Sequence, residues 1–282
     1  MVWDKRNKVI IRAYSLFGRR DHYAHFLLDF LIPVWAWLWQ NGLERREDFE
    51  VYFWDGAVER FRPIIDRFFY CKVKHISELR DKEGIHKVIV PGFESHARRD
   101  AGLELRYYIG PVEQFMVDLH EYVEEKLGVS PEGQNVLLHV CREKVSDDRG
   151  GGRRSTSNED ELSESLKELA ARKGLMYRKV QLAGMRFAMQ VEAFMEAKAV
   201  VAQHGAALAN LFWMRKGSVL LEYHWNDEEA YRKRQTCGFL GRPMHVHARG
   251  KKVGEGRPDS IASSGVVEAP IEKIVGELEG RI

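Results

Sequence analysis

The stretch Val200–Glu222, VVAQHGAALANLFWMRKGSVLLE, carries the architecture in small. It opens on an apolar run too short for a helix and without polar alternation, the pattern of a strand buried on both faces. A small-residue turn, His204-Gly205-Ala206-Ala207, leads into a short helix, and a second apolar strand, Ser218–His224, follows. Strand, turn, helix and strand in this order form one unit of a parallel, helix-covered sheet. Upstream, the same alternation runs through a strand Asn135–Val140, a helix Glu159–Lys173, a strand around Leu175–Leu182 and a helix Arg186–Lys198. Asn158 is the expected N-cap of the helix at Glu159, whose first turn is acidic.

The first half repeats the pattern. Val9–Ser15, Phe49–Trp54, Cys71–Ile76 and His86–Phe93 read as strands, and Asp21–Gln40 and Val112–Lys126 as helices. Between the halves lies GVSPEGQN, residues 128–135, rich in turn formers. The expected fold is therefore α/β, with two facing Rossmann-like domains built on parallel sheets, residues 1–130 and 131–250. Residues 251–282 are expected as a tail, loop-like to Gly265 and ending in a short helix, Pro270–Leu278. A chain of 282 residues has room for this, at roughly 150 residues per domain.

Composition narrows the function classes. Hydrophobic residues make up 44% and charged residues 30%, which excludes a disordered chain. Lys+Arg 44 against Asp+Glu 42 leaves a net charge of +2, so no overall field draws the protein to nucleic acid or to an anionic membrane. Any anion must be held by a local cluster. Cys71, Cys141 and Cys237 are far apart and odd in number, so reduced thiols are expected rather than a disulfide framework. The start, MVWDKRNKVI, lacks a signal peptide's apolar core, and the greasiest run, Phe26–Trp39, is broken by Asp29 and Pro33. A bilayer needs roughly 20 apolar residues, so no stable membrane insertion and a soluble, cytoplasmic protein are expected.

In doubly wound sheets, ligands bind beyond the carboxyl ends of the strands. Three segments of the second half belong there. After the strand at Asn135–Val140 come Arg142, Lys144, Arg149, Arg153 and Arg154 against Glu143, Asp147 and Asp148. Arg142, with Arg153 or Arg154 returning later, can clamp an anion from two sides, while a solvated loop is the plain alternative. The turn His204-Gly205-Ala206-Ala207-Leu208, with Asn210 just beyond, lets backbone approach a ligand and points N–H groups at it. Small residues also serve tight strand–helix packing, and His204 reads equally as a satisfied turn histidine. Glu222, at the next strand end, suits ribose hydroxyls or is a simple surface glutamate. No G-x-G-x-x-G and no P-loop occurs.

In the first half, His22, His25 and Asp29 share one helical face. Asp29 among Phe26, Leu28 and Phe30 needs a partner, and His25 at i−4 supplies it. Such a pair suits a general base, or ties the helix down. Asp55 and Glu94, each just past a first-half strand, are rival bases. His245 and His247 alternate on a strand and share a face, as metal ligands or as structural residues. Trp35, Trp37 and Trp39 cannot share one helix face. They read as core residues, with at least one reaching an interdomain surface or a sugar-binding cleft.

Together these segments resemble glycosyltransferase family 61, which includes plant β-1,2-xylosyltransferases and the EGF-domain O-GlcNAc transferase. The resemblance spans about Asp21 to Tyr223 and is strongest over Val200–Glu222, with its His-Gly-Ala, Leu-x-Asn and Gly before a strand. Tyr23–Leu31 is similar to the family's His-phi-phi-phi-Asp segment, and Arg142 with Arg154, Asn158 and Glu159 to its strand-Arg followed by Arg-x-x-Asn-Glu. Met189-Gln190 matches the family's Glu-Gln only at Gln190. The short chain and the long glycine-rich loop fit a compact viral or microbial member.

The resemblance implies a GT-B-like fold and an inverting transferase. It implies no obligatory cofactor or metal, a UDP-sugar donor (xylose or N-acetylglucosamine) and a glycan or glycoprotein acceptor. It gives Arg142, Arg153, Arg154, Asn158 and the residues of the turn, His204, Gly205, Ala206, Ala207, Leu208 and Asn210, to the donor diphosphate. Glu222 falls to the ribose, and Asp29 or His25 to the acceptor proton. Two other readings remain: a metal-dependent hydrolase using His22, His25 and Asp29, and an inactive nucleotide- or glycan-binding module.

Overall fold

The computed structural model describes residues 8–14, 23–48, 50–53, 57–79, 85–91, 110–142, 155–226, 237, 240, 243–255 and 265–282. The chain divides into two compact units, Met1–Gly128 and Val129–Ile282.

The first unit is built on strands β1 (Lys8–Tyr14), β2 (Glu50–Phe53), β3 (Lys72–His75) and β4 (Ile85–Pro91). All pair parallel, in the order β3-β2-β1-β4. The strand order reverses between β1 and β4, the switch point of a doubly wound sheet. Next in the chain come α1 (Tyr23–Phe26), a π-helical turn (Leu27–Leu31) and α2 (Ile32–Gln40). Helices α3 (Ala57–Arg60) and α4 (Arg62–Phe68) link β2 to β3, and α5 (Val112–Leu127) closes the unit.

The core of this unit is aromatic. On α5, Phe115, Met116, Leu119, Tyr122 and Val123 form the buried stripe that a 3.6-residue period demands. Trp35 lies 5.5 Å from Phe115 and 5.3 Å from Tyr122 between ring centroids. The Tyr122 hydroxyl donates to the Phe68 carbonyl. Trp35 is thus a core residue, Trp39 donates to Asp118 at 2.7 Å, and Trp37 is partly exposed. Gly128 ends α5 in the left-handed conformation, at φ 64°, which favours glycine.

The second unit holds a five-stranded, wholly parallel sheet in the order β10-β9-β8-β5-β7. Its strands are β5 (Val136–Val140), β7 (Met176–Val180), β8 (Ala197–Gln203), β9 (Val219–His224) and β10 (Met244–Arg249). Counted along the chain, this is the 2-1-3-4-5 order, whose switch point falls between β5 and β8. Strands β5 and β9 are buried at every residue, which is why their sequences show no polar alternation. Helices α6 (Glu159–Arg172) and α7 (Phe187–Met195) connect β5 to β7 and β7 to β8.

The short helix expected after Gly205 is present as a 3-10 helix, Ala206–Trp213. Two expectations need correction here. Asn158 occupies the N-cap position of α6 without a side-chain capping bond. Its amide instead accepts from Ala269 N at 2.7 Å and donates to Ala269 O at 2.9 Å, because the incoming C-terminal segment offers both bonds at once. The stretch expected as loop, Gly250–Gly265, contains strand β11 (Lys251–Glu255), which pairs antiparallel with β12 (Gly265–Glu268). Lys251 to Glu255 reads as polar because its first three residues are exposed.

Strand β12 also pairs with β6 (Ser155–Thr156), and helix α8 (Ile271–Glu279) follows. Val267, Ala269, Ile274 and Leu278 enter the same apolar core as Leu137, Leu166 and Val219. A Cβ on Gly250 would meet Val267 Cγ1 at 2.7 Å and Glu268 O at 2.8 Å, so this approach requires glycine.

Candidate active site

In the second unit, Val140 pairs with Ala202 across the switch point. Arg142 and His204 each lie two residues further on, so both leave the same edge of the sheet. Arg142 is partly buried, and its charge is felt at the Tyr223 phenol. Burial pushes the Tyr223 pKa up, with Glu159 adding to it and Thr156 and Arg142 opposing. Thr156 Oγ1 and Tyr223 Oη are 2.8 Å apart in the interior, which fixes β6 against β9.

The His-Gly-Ala turn is braced from beneath. Asn210 is fully buried, and its Nδ2 donates to Ala207 O at 3.1 Å while its Oδ1 accepts from Trp213 Nε1 at 3.0 Å. Gln190 on α7 donates to Met185 O at 3.0 Å and lies 3.5 Å from Asn210. Gly205 and Leu208 are buried, whereas Ala206 and Ala207 are partly exposed at the start of the 3-10 segment. The first N–H groups of a helical segment have no partner within it. Asn210 therefore supports the turn and holds no ligand in this arrangement, and the amide of Asn158 is engaged with Ala269.

Glu222 departs most from expectation. Strand β9 runs on to His224, so Glu222 lies inside the strand and is fully buried. Its Oε1 accepts from His204 Nδ1, and its Oε2 accepts from His245 Nε2 at 2.7 Å. Burial raises the carboxyl pKa, but the hydrogen bonds from the two histidines outweigh it and leave the group below the usual carboxylate range. A carboxylate so enclosed does not meet a ribose. It holds His204.

A second buried group lies beneath α6. His139 Nδ1 is 2.9 Å from Tyr177 Oη, and His139 Nε2 is 3.2 Å from Glu159 Oε1. Lys179 Nζ is 3.3 Å from that oxygen and donates to Ser163 Oγ at 2.7 Å. Burial, with help from Lys179, pushes the His139 pKa down to about 3, and burial pushes the Glu159 pKa up. Both groups are driven toward their neutral forms.

In the first unit the helix explains the setting of Asp29. Pro33 has no N–H to give the Asp29 carbonyl, and its ring crowds that oxygen. The chain widens before it: Ile32 N–H donates five residues back, to Leu27 O. Asp29 sits within this π turn, 2% exposed, with Oδ2 3.0 Å from His25 Nδ1. Phe26 and Phe30 flank it, stacked 5.6 Å apart. Such π turns recur at functional sites.

His22, Asp55, Glu94, Arg153 and Arg154 lie outside the described residues. Among the described residues, no group of three or more His, Cys, Asp or Glu is arranged to hold a metal ion, and no helix is long and apolar enough to cross a membrane.

The family model described as Glycosyltransferase 61 matches residues 23–221. The chain belongs to glycosyltransferase family 61. Its match begins at the helix that carries His25 and Asp29 and takes in Arg142 and the His204 turn. A comparison with curated proteins gives no match. As a glycosyltransferase the protein takes a sugar donor and passes the sugar to an acceptor. Its sequence hid the π turn, whose signal is Pro33, and offered His245 as a metal ligand or structural residue without its bond to Glu222, which the register of β10 on β9 creates.

Proposed function

We propose that this glycosyltransferase is an inverting, metal-independent enzyme of GT-B-like arrangement that takes a UDP-sugar. The second unit is the donor side and the first the acceptor side. The observation that carries the reading is the placement of Arg142 and the His204-Gly205-Ala206 turn at one edge of a sheet, just beyond the paired Val140 and Ala202 on either side of its switch point. A guanidinium and a helical turn that presents N–H groups are complementary to a diphosphate. Arg153 or Arg154 completes the clamp in this reading, and positive side chains do the neutralising that a divalent cation does elsewhere.

The acceptor hydroxyl oxygen attacks the anomeric carbon and forms the new bond. The bond from that carbon to the diphosphate breaks, and its electron pair leaves with UDP. The hydroxyl proton passes to the Asp29–His25 pair, with the carboxylate as base. A single displacement of this kind needs one base and inverts the anomeric centre. Xylose and N-acetylglucosamine are the favoured sugars, carried over from the family resemblance, and a glycan hydroxyl is the acceptor. Screening UDP-sugars for thermal stabilisation tests the reading, because a ligand of the native state raises its melting point. A donor raises it by several degrees, and indifference to every UDP-sugar and to UDP sinks the donor assignment.

A further inference from the structure

The three side chains His245, Glu222 and His204 form a hydrogen-bonded line that climbs the sheet toward its carboxyl edge. Glu222 pairs with His247 on β10 and with Ala202 on β8. His245 therefore lies two residues toward the amino end of β10, and His204 two residues beyond Ala202, past the end of β8. All three belong to one face, since side chains two apart in a strand share it. The line is enclosed except at its upper end: the side chains of His245 and Glu222 are 2% and 0% exposed, and that of His204 is 9%.

The protonation pattern follows from which atoms have partners. His245 Nδ1 is buried without a hydrogen-bond partner. A buried N–H left unpaired costs more than a lone pair in an apolar setting, so His245 carries its proton on Nε2 and gives it to Glu222. That bond occupies Oε2 and leaves Oε1 to take the Nδ1 proton of His204. An imidazole held by a carboxylate at Nδ1 has its ring orientation fixed, and its positive form is favoured as negative charge develops opposite it.

We infer that His245 is a positioning residue of this transferase: through Glu222 it fixes the ring of His204 at the donor diphosphate without touching substrate. The inference rests on the reading of the His204 turn as the diphosphate site. Its chemical content is that the turn presents an oriented imidazole to the leaving UDP, backed by a buried carboxylate that a second histidine holds in place.

The test compares full-length wild type with His245→Asn and His245→Gln. The glutamine amide reaches Glu222 as Nε2 does, whereas the asparagine amide is too short. In spectra of 15N-histidine-labelled protein, wild type and H245Q show His204 protonated at Nδ1, and H245N shows that signature lost or averaged. In sugar transfer, H245N lowers kcat by about 10–100-fold with a small change in KM, and H245Q stays within a few-fold of wild type. An unchanged His204 signature and kcat in H245N overturn the inference, as does equal loss in both variants, which marks a packing role. If H245N does not fold, H245Q alone decides by keeping or losing the wild-type signature and kcat. Calorimetry with UDP separates the two readings. Wild type that does not bind UDP removes the donor site, while the ring spectra still decide the His245–Glu222–His204 line.

Discussion

The two units set their polar groups into apolar surroundings by different means. In the first, one carboxylate is placed by a defect in a single helix: Pro33 widens the turn before it, and Asp29 faces His25 among phenylalanines. In the second, polar side chains come from separate segments and meet in the interior, as His204, Glu222 and His245 do on one sheet, or as Thr156 and Tyr223 do between two sheets. A group placed by a local defect depends on the backbone of one helix. A group placed by strand register depends on segments far apart in the chain.

Four experiments break or sharpen that contrast. The largest effect is expected at Asp29. Asp29→Asn lowers the transfer rate by about 10²–10⁴-fold, the range of a general base, and leaves UDP affinity at the wild-type value in calorimetry. Weakened UDP binding in this variant would overturn the proposed assignment of the donor to the second unit alone.

Next comes an acid effect on the second unit. His139 stays neutral in the fold down to about pH 3 but takes a proton near 6.5 when unfolded. Its stabilising contribution is therefore complete above about 6.5 and is lost as pH falls toward about 3. The slope approaches about 1.4 kcal/mol per pH unit in that window. Chemical unfolding across this range reads the slope, and His139→Phe flattens it.

Arg142→Ala weakens UDP binding by about 1.5–3 kcal/mol, the worth of hydrogen bonds to a charged group, and unchanged calorimetric affinity removes Arg142 from the donor site. The smallest effect is Thr156→Val, which removes one buried hydroxyl bond and lowers unfolding free energy by about 1 kcal/mol. An effect several times larger would show that the second unit depends on single contacts.

Much of the sheet architecture was legible in the sequence because its central strands are buried on both faces. Runs such as Val136–Val140 and Val219–His224 have no polar alternation to confuse with a surface helix. Strand β11 was not, since Lys251–Glu255 is a polar strand held by pairing with β12 rather than by its own pattern. The His25–Asp29 pair could be read from i,i+4 spacing, because helical geometry is local. The π turn could not be read from the same spacing, and only Pro33, four residues after Asp29, hints at it. The fate of Glu222 was hidden for a different reason. His245 is distant in the chain and comes alongside only through the parallel register of β10 on β9. Asn158 looked like an ordinary cap for the same reason: Ala269, which claims its amide, is remote in sequence.

The late strand and helix also bear on how the protein emerges from the ribosome. Val267, Ala269, Ile274 and Leu278 belong to the same core as Leu137, so that core is complete only once Leu278 has been translated. The first unit, complete at Gly128, can fold while the rest is still being made. Until then the part of that core that Val267, Ala269, Ile274 and Leu278 fill stays open. That interval, rather than the finished fold, is where chaperones would meet this chain.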